Sequence, residues 1–393
     1  MENSNIPELR FQNYSGEWKQ HSVAEITEFH KQGFYTTENY GKSKKYYLLR
    51  GTDLTNNRLV LKNTPKIDAT EKDYNDFKTE IGDFLVVRSG TVGTYGIVDI
   101  DIPAIFGSYL IDFRFDKTQI TNEFFGYFYQ SDLFKKQLRQ IIQQSANTNI
   151  NAENIKSTKV NLPTIPEQKN IGKFFMALDK LITLEQERIA RFQNTKKFML
   201  EKMFPQDGCK VPEIRFKGFS ENWEQYKIYE IANRFDNLRI PVAANMRVPG
   251  PTPYYGANGI QDYVKGFTHE GEYVLIAEDG ANDLKNYPIQ FVNGRIWVNN
   301  HAHVLQGIPE LVDNHFLAYA LHQVNMEPLL VGSGRSKLNA EILMQIVFMM
   351  PTKEEQTKIG KLLDLISQAI NFHHQKYEKL KNLKQALLAK MFV

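Results

Sequence analysis

One cysteine, Cys209, is all that 393 residues contain. A lone thiol closes no intramolecular disulfide and builds no cysteine-based zinc site, which fits a reducing compartment. Long apolar runs are missing as well: no stretch of about 18 apolar residues occurs, and the opening MENSNIPELR has no apolar core of a secretory leader. A cytoplasmic protein without membrane contact is therefore expected. Charge of one sign is scarce, since 48 Lys and Arg against 45 Asp and Glu leave only +3. Any nucleic-acid contact must come from local patches and not from bulk charge. Enzymatic motifs are absent too: there is no GxxxxGK[ST] phosphate loop, no GxSxG elbow and no HExxH helix. What is present is 42% hydrophobic and 12% aromatic side chains, enough to fill packed cores. At about 150 residues per domain, the length predicts two or three of them.

The chain repeats itself. Residues 7–18 (PELRFQNYSGEW) return as residues 212–223 (PEIRFKGFSENW), so that Pro7, Glu8, Arg10, Phe11, Ser15 and Trp18 match Pro212, Glu213, Arg215, Phe216, Ser220 and Trp223. A second match pairs residues 163–172 (PTIPEQKNIG) with residues 351–360 (PTKEEQTKIG) and runs ungapped to Lys202-Met203-Phe204 against Lys390-Met391-Phe392. The first block is offset by 205 residues and the second by 188, so the middle of the second copy is 17 residues shorter. Two collinear blocks define a duplicated chain whose ends match and whose middles diverge.

The later block reads as a long helix. Thr164 to Glu167 and Thr352 to Glu355 have the form of a capping box, with Pro166 in the tolerant first turn. Apolar residues then recur at three-and-four spacing: Ile171, Phe174, Leu178, Leu181, Ile189, Phe192 and Met199 in the first copy, and Ile359, Leu362, Ile366, Ala369, Tyr377, Leu380, Leu383, Leu387 and Met391 in the second, interrupted by His373. Such a seam predicts a coiled-coil-like helix in each half, roughly 55–60 Å long, with the two copies pairing antiparallel. An ordinary core helix or a dimerisation zipper is the plainer reading. The adjacent His373 and His374 point to different faces and do not form a metal pair.

The middles read as mixed α/β domains. Strands are expected at Phe84 to Val87, Ala104 to Phe106, Tyr273 to Ile276 and Ile346 to Met349, and helices over 122–142 and 314–330. The expected division is residues 1–162, a helix over 163–206, residues 207–350, and a helix over 351–393.

Two regions concentrate cations with aromatic and amide side chains. Residues 41–62 carry Lys42, Lys44, Lys45, Arg50, Arg58 and Lys62 against one acid, Asp53, with Tyr46 and Tyr47 between them. Arg88, Asn147 and Asn149 follow in later connections. In the second half the candidates are Arg234, Arg239, Arg247, Tyr254, Asn258, Asn299, Asn300, His301, His303, Arg335 and Lys337. Phosphate contacts need Lys or Arg, and base-edge readout needs Arg, Asn, Gln or His in a groove. A solvated surface, or for Tyr254 a core position, explains the same residues. His301 and His303 share a strand face but lack obvious partner ligands, and Glu278-Asp279 lacks the downstream lysine of a nuclease centre.

This arrangement resembles the specificity (S) subunit of type I restriction-modification systems. The residues that carry the resemblance are the PE[LI]RF…W entries at 7–18 and 212–223 and the [LM]P-x-x-x-EQ-x-x-I-G entries at 162–172 and 350–360. TPYYGANGIQDYV (252–264), GEYVLIAEDGA (271–281) and WVNNHAHVL (297–305) are similar to one common class of target-recognition domain. The resemblance spans essentially the whole chain and is looser in the first half. It implies two α/β target-recognition domains, each followed by a long helix, that read the two halves of a split double-stranded DNA target. The helix pair would set the spacing and dock two methyltransferase subunits through Ile171, Phe174, Leu178, Leu181, Ile359, Leu362, Ile366 and Leu380. It also implies a non-catalytic chain without a cofactor or metal of its own. S-adenosylmethionine would sit on the methyltransferase subunits, and ATP and Mg would serve separate restriction subunits. The rival readings are a stand-alone sequence-specific DNA-binding protein and a coiled-coil scaffold without a nucleic-acid role.

Overall fold

The computed structural model describes residues 5–37, 40–41, 44–88, 94–143, 150–206, 208–332 and 336–393. Contacts divide the chain into two units, residues 1–186 with 375–393, and residues 187–374. The long helices Ile165–Lys202 and Lys353–Met391 therefore each give their first part to the unit of their own repeat and their last part to the other unit.

Both units are mixed α/β. The first holds a six-stranded sheet in the order Thr27–Gln32, Leu110–Phe115, Phe84–Val87, Tyr95–Ile97, Arg58–Leu59, Leu54–Thr55. A three-stranded sheet (Lys66–Ile67, Tyr46–Leu49, Ala104–Phe106) lies in the same unit. The second unit orders its six strands Ala232–Arg234, Ala302–Gly307, His269–Ala277, Ile289–Val298, Pro249–Gly256, Gly259–Val264. In each unit a two-stranded ribbon leads into the long helix: Lys19–Ser22 with Lys159–Leu162, and Glu224–Lys227 with Val347–Met350.

Two expected helices are interrupted. The 122–142 stretch is two helices, Asn122–Gln130 and Asp132–Gln143. Ser131 ends the first by donating its hydroxyl to the Phe128 carbonyl, and begins the second by accepting from the Phe134 amide. The 314–330 stretch is Asn314–Leu321 followed by the single 3-10 turn Glu327–Leu329, where Pro328 cannot continue a helix.

The repeated residues form one device, built twice. Arg10 forks onto Glu167 at 2.7 and 2.8 Å, and Arg215 onto Glu355 at 2.7 and 2.7 Å. The expected capping-box glutamates are thus committed to arginines from the entry segment. The neighbouring Gln168 donates to the Pro163 and Gln119 carbonyls and accepts from the Thr121 amide. Gln356 does the same with Pro351, Leu311 and Asp313. Each glutamine so ties the start of the long helix to the start of a sheet-covering helix. Gly172 and Gly360 allow that approach, since an added Cβ would meet the Cβ of Glu123 at 2.8 Å or of His315 at 3.0 Å.

Within each unit the helix parts run antiparallel. In the first, Asp179 meets Lys384 at 2.6 Å while Glu185, further along the helix, meets Lys376 at 3.1 Å. In the second, Phe192 stacks on His373 at 5.5 Å, which gives the interrupting histidine a packing role. Lys384 also lies 5.3 Å over the ring of Tyr127, and its repeat equivalent Lys196 lies 5.2 Å over Tyr319.

One buried acid opposes the fold. Asp112 is fully buried in the first sheet, and neither carboxylate oxygen has a hydrogen-bond donor among the described residues. Arg114 forks onto Asp83 instead and comes no nearer to Asp112 than 3.8 Å. Burial first, and then the charge of Asp83, push the Asp112 carboxyl well above the usual aspartate range. Ionising it therefore costs stability once pH exceeds the unfolded-state value of about 4. Asp112→Asn is expected to stabilise the first unit by about 1–3 kcal/mol at neutral pH. The gap should close as pH falls to about 4. Thermal melts at several pH values check this, and a variant less stable than the parent at pH 8 refutes it.

Candidate nucleic-acid interface

The strands of the two units share a register that defines one loop edge in each. In the first unit Leu48 and Leu49 run parallel to Ile105 and Phe106, and the Gly107 amide donates to Leu49 at 2.9 Å. In the second, Tyr254 and Tyr255 run parallel to Trp297 and Val298, and the Asn299 amide donates to Tyr255 at 3.0 Å. A second bond repeats as well: Arg88 N–H to the Tyr109 carbonyl at 2.9 Å, and Glu278 N–H to the His301 carbonyl at 2.9 Å. Gly107-Ser108-Tyr109 is thereby equivalent to Asn299-Asn300-His301, and Arg88 to Glu278.

In the second unit Asn300 is exposed on this edge and His301 is half-buried, with Nδ1 2.6 Å from Asp279. Asn258 is exposed, but its amide donates to Gly280 and accepts from the Asn282 N–H, clamping the neighbouring turn. Lys337 is 46% exposed and pairs with Glu278 at 2.9 Å. Three candidates belong to the interior instead. Tyr254 is buried and its hydroxyl accepts from the Val242 amide at 2.9 Å. Asn299 is buried and holds the His301 amide at 2.8 Å. His303 is buried with both ring nitrogens engaged, by Asp236 at 2.7 Å and the Leu338 carbonyl at 2.8 Å. The two arginines are structural as well. Arg239 binds Glu278 at 2.6 Å and the Ala302 carbonyl at 2.8 Å, and Arg247 lies 4.1 Å over the Tyr254 ring while donating to Val242.

Asp236, Glu278 and His303 bring oxygen and nitrogen atoms within 4.8 Å of one another, the spacing of a metal site. The same cluster carries its own cations, Arg239 and Lys337. Burial by itself would raise the two carboxyls. For Asp236 the bonds from His303 and the Val304 amide, with the charges of His303 and Arg239, outweigh it and hold the group below its ordinary value. For Glu278 the bonds from Lys337 and Arg239 do so. The arrangement is an internal ion network beneath the edge, not a vacant ligand set.

The basic region of the first half is only partly a loop, because its centre is the core strand Tyr46–Leu49. Tyr46 is buried and stacks on Tyr74 at 4.1 Å, while Lys45 lies 4.8 Å over its ring. Lys44 pairs with Asp68 at 3.7 Å, Arg50 with Asp53 at 3.3 Å and Arg58 with Asp99 at 3.7 Å. Lys42, Asn147, Asn149 and Arg335 lie outside the described residues. Arg88 stands on the edge itself, beside the exposed Tyr109 and Tyr35, neither of which stood out in the sequence. The signal was available in the strand that follows Tyr109, which aligns it with His301.

The helix seam divides. Ile171, Leu178, Ile359 and Ile366 are buried, as are Phe175 and Leu363, which the spacing passed over; Leu362 and Leu380 pack at the margins of the cores. Phe174, Ala177, Leu181 and Leu184 instead form an exposed apolar stripe at three-and-four spacing. Its repeat equivalents are Leu362, Leu365, Ala369 and Phe372, of which Leu365 and Phe372 are more than 60% exposed.

This geometry defines a duplicated mixed α/β protein, with one loop edge and one apolar helix stripe per unit. A family model described as the type I restriction modification DNA specificity domain matches residues 15–194 and 220–382. The chain belongs to that family. It is 50% identical over 155 residues to a putative type I restriction enzyme specificity subunit of Haemophilus influenzae, a match that covers 39% of this chain and only 40% of that relative. It is 22% identical over 399 residues to the putative type I restriction enzyme MjaX specificity subunit of Methanocaldococcus jannaschii, covering 95% of this chain and 92% of that one. The crystal structure of the type I restriction-modification system S subunit from M. genitalium shares the fold, with a TM-score of 0.70 at 18% identity over 99% of both chains. Among the described residues no helix is long and apolar enough to cross a membrane.

Proposed function

We propose that this chain is the DNA-reading subunit of a cytoplasmic type I restriction-modification complex. Each unit reads one half of a split double-stranded target, and the helix pair fixes the gap between the halves. The observation that carries this reading is the loop edge built twice on one register but furnished with different side chains, Gly107-Ser108-Tyr109 in one unit and Asn299-Asn300-His301 in the other. Equivalent frames with unlike side chains fit two different half-sites. Most arginines and lysines on the two edges are already paired with carboxylates, which fits a subunit that leaves much of the phosphate affinity to its partners. In this reading the chain is not itself a catalyst. Methyltransferase subunits bring S-adenosylmethionine, and restriction subunits bring ATP- and Mg-dependent cleavage. Mapping the bases methylated in cells that carry the complex should return a bipartite target; one contiguous target overturns the two-reader model.

The apolar stripes are the docking sites for two copies of one partner, because equivalent residues repeat on equivalent helix faces. Leu181→Asp and Leu365→Asp alter side chains that are 50% and 63% exposed, so folding should survive. Each is expected to weaken capture of one methyltransferase subunit by on the order of 30-fold. Stoichiometry by native mass spectrometry or light scattering should fall from two partners to one in either variant. Retention of two in both variants refutes the assignment.

A further inference from the structure

We infer that Tyr109, flanked by Tyr35 and Arg88, is the base-contacting group of the first unit and sets its half-site specificity. The inference rests on the DNA-reading function proposed above and adds residues that the basic region of the first half did not reveal.

The argument begins with exposure. Tyr109 is 69% and Tyr35 75% exposed, unusually open for large aromatic side chains in a chain that leaves few of its rings exposed. They belong together: the Phe34 amide donates to the Phe106 carbonyl at 2.8 Å and Phe34 bridges Gly107, which places Tyr35 beside Ser108. Arg88 joins them through the hydrogen bond that its backbone N–H donates to the Tyr109 carbonyl. Register then supplies the comparison, since Tyr109 occupies the position that His301 holds in the second unit.

Charge completes the case. The other edge arginines each face a carboxylate: Arg50 has Asp53, Arg239 has Glu278 and Arg247 has Asp262. Arg88 has none among the described residues. Its guanidinium makes one long contact, 3.4 Å to the Ser108 carbonyl, and its Nε is buried without an acceptor. A half-buried guanidinium left without a counter-charge is a cost to the fold unless an acceptor arrives with the ligand. A DNA groove offers such acceptors, the guanine O6 and N7 atoms above all, while tyrosine rings pack on sugar and on the thymine methyl. A cation without a counter-charge on an edge that also exposes two aromatic rings suits that surface better than an apolar protein partner.

The test uses the complete complex with its methyltransferase subunits and a duplex carrying the methylation-mapped target, alongside duplexes scrambled in one half-site at a time. The parent complex should discriminate against both scrambled duplexes. Tyr109→Ala and Arg88→Gln should each lower discrimination at one half-site by about 10-fold and leave the other unchanged. Asn300→Ala, on the edge of the second unit, should affect the opposite half-site, and Tyr109→Phe should stay close to the parent. If the parent discriminates at both half-sites and Tyr109→Ala behaves like it, this inference fails while the DNA-reading function stands. If the parent discriminates at neither, the function itself fails. Uniform weakening by Arg88→Gln across all duplexes, with a shallower salt dependence, would mark a phosphate contact and overturn its base-reading role.

Discussion

Phe392→Ala, one residue from the C-terminal end, is expected to destabilise the unit that begins at the N-terminus by about 3–5 kcal/mol. Phe392 is 5% exposed and lies among Phe124 at 5.3 Å, Phe128 at 6.1 Å and Phe175 at 6.1 Å, all residues of the first half. Removing the ring leaves a cavity between a sheet-covering helix and the long helix, and neither backbone can collapse freely because Gln168 ties their starts together. Phe204→Ala is the mirror case. Phe204 stacks on Phe316 at 5.6 Å and meets Trp223 edge-on at 5.9 Å, so its loss should loosen the second unit. Hydrogen exchange separates the two. Protection of strands Phe84–Val87 and Leu110–Phe115 should fall in Phe392→Ala, and that of His269–Ala277 and Ala302–Gly307 in Phe204→Ala. Phe392→Ala loosening only the strands of the second half would refute the assignment of the helix ends to these cores.

That the two Lys-Met-Phe endings match was visible in the sequence; which core each one fills was not, because a repeat shows equivalence and only contacts show the partner. The repeated Arg, Glu-Gln and Ile-Gly residues were equally legible as a pattern. Local helix chemistry assigned their glutamates to capping boxes, whereas a fork from an arginine 157 or 140 residues away takes them. The helix seam misled for another reason. Phe174 and Phe175 are adjacent and both fit a three-and-four period, so periodicity alone chose the exposed ring over the buried one. In the candidate interface, residue type proved a poor guide, since Tyr254, Asn299 and His303 have readout chemistry yet are buried with their hydrogen bonds satisfied. Tyr109 was overlooked because the stretch around Gly107 and Ser108 is only a loose counterpart of Asn299 and Asn300 in sequence; the strand register fixes which residue matches which.

Arg215→Ala is expected to cost the second unit about 3–5 kcal/mol, because it leaves the fully buried Glu355 without its cation. In the parent, the hydrogen-bonded fork from Glu355 is the main cause that holds Arg215 above the ordinary arginine range, and the guanidinium also donates to the Glu221 carbonyl at 2.6 Å. The fork therefore fastens the entry segment, with Trp223 shortly after it, to the first turn of the long helix. Glu355→Gln removes the buried charge itself, so the double variant Arg215→Ala with Glu355→Gln should recover part of the deficit of Arg215→Ala. Arg10→Ala should repeat the pattern in the first unit through Glu167, which is 1% exposed. Thermal or denaturant unfolding at neutral pH checks both pairs. A double variant no more stable than Arg215→Ala would mean that lost packing of the arginine stem, and not an unpaired carboxylate, dominates the cost.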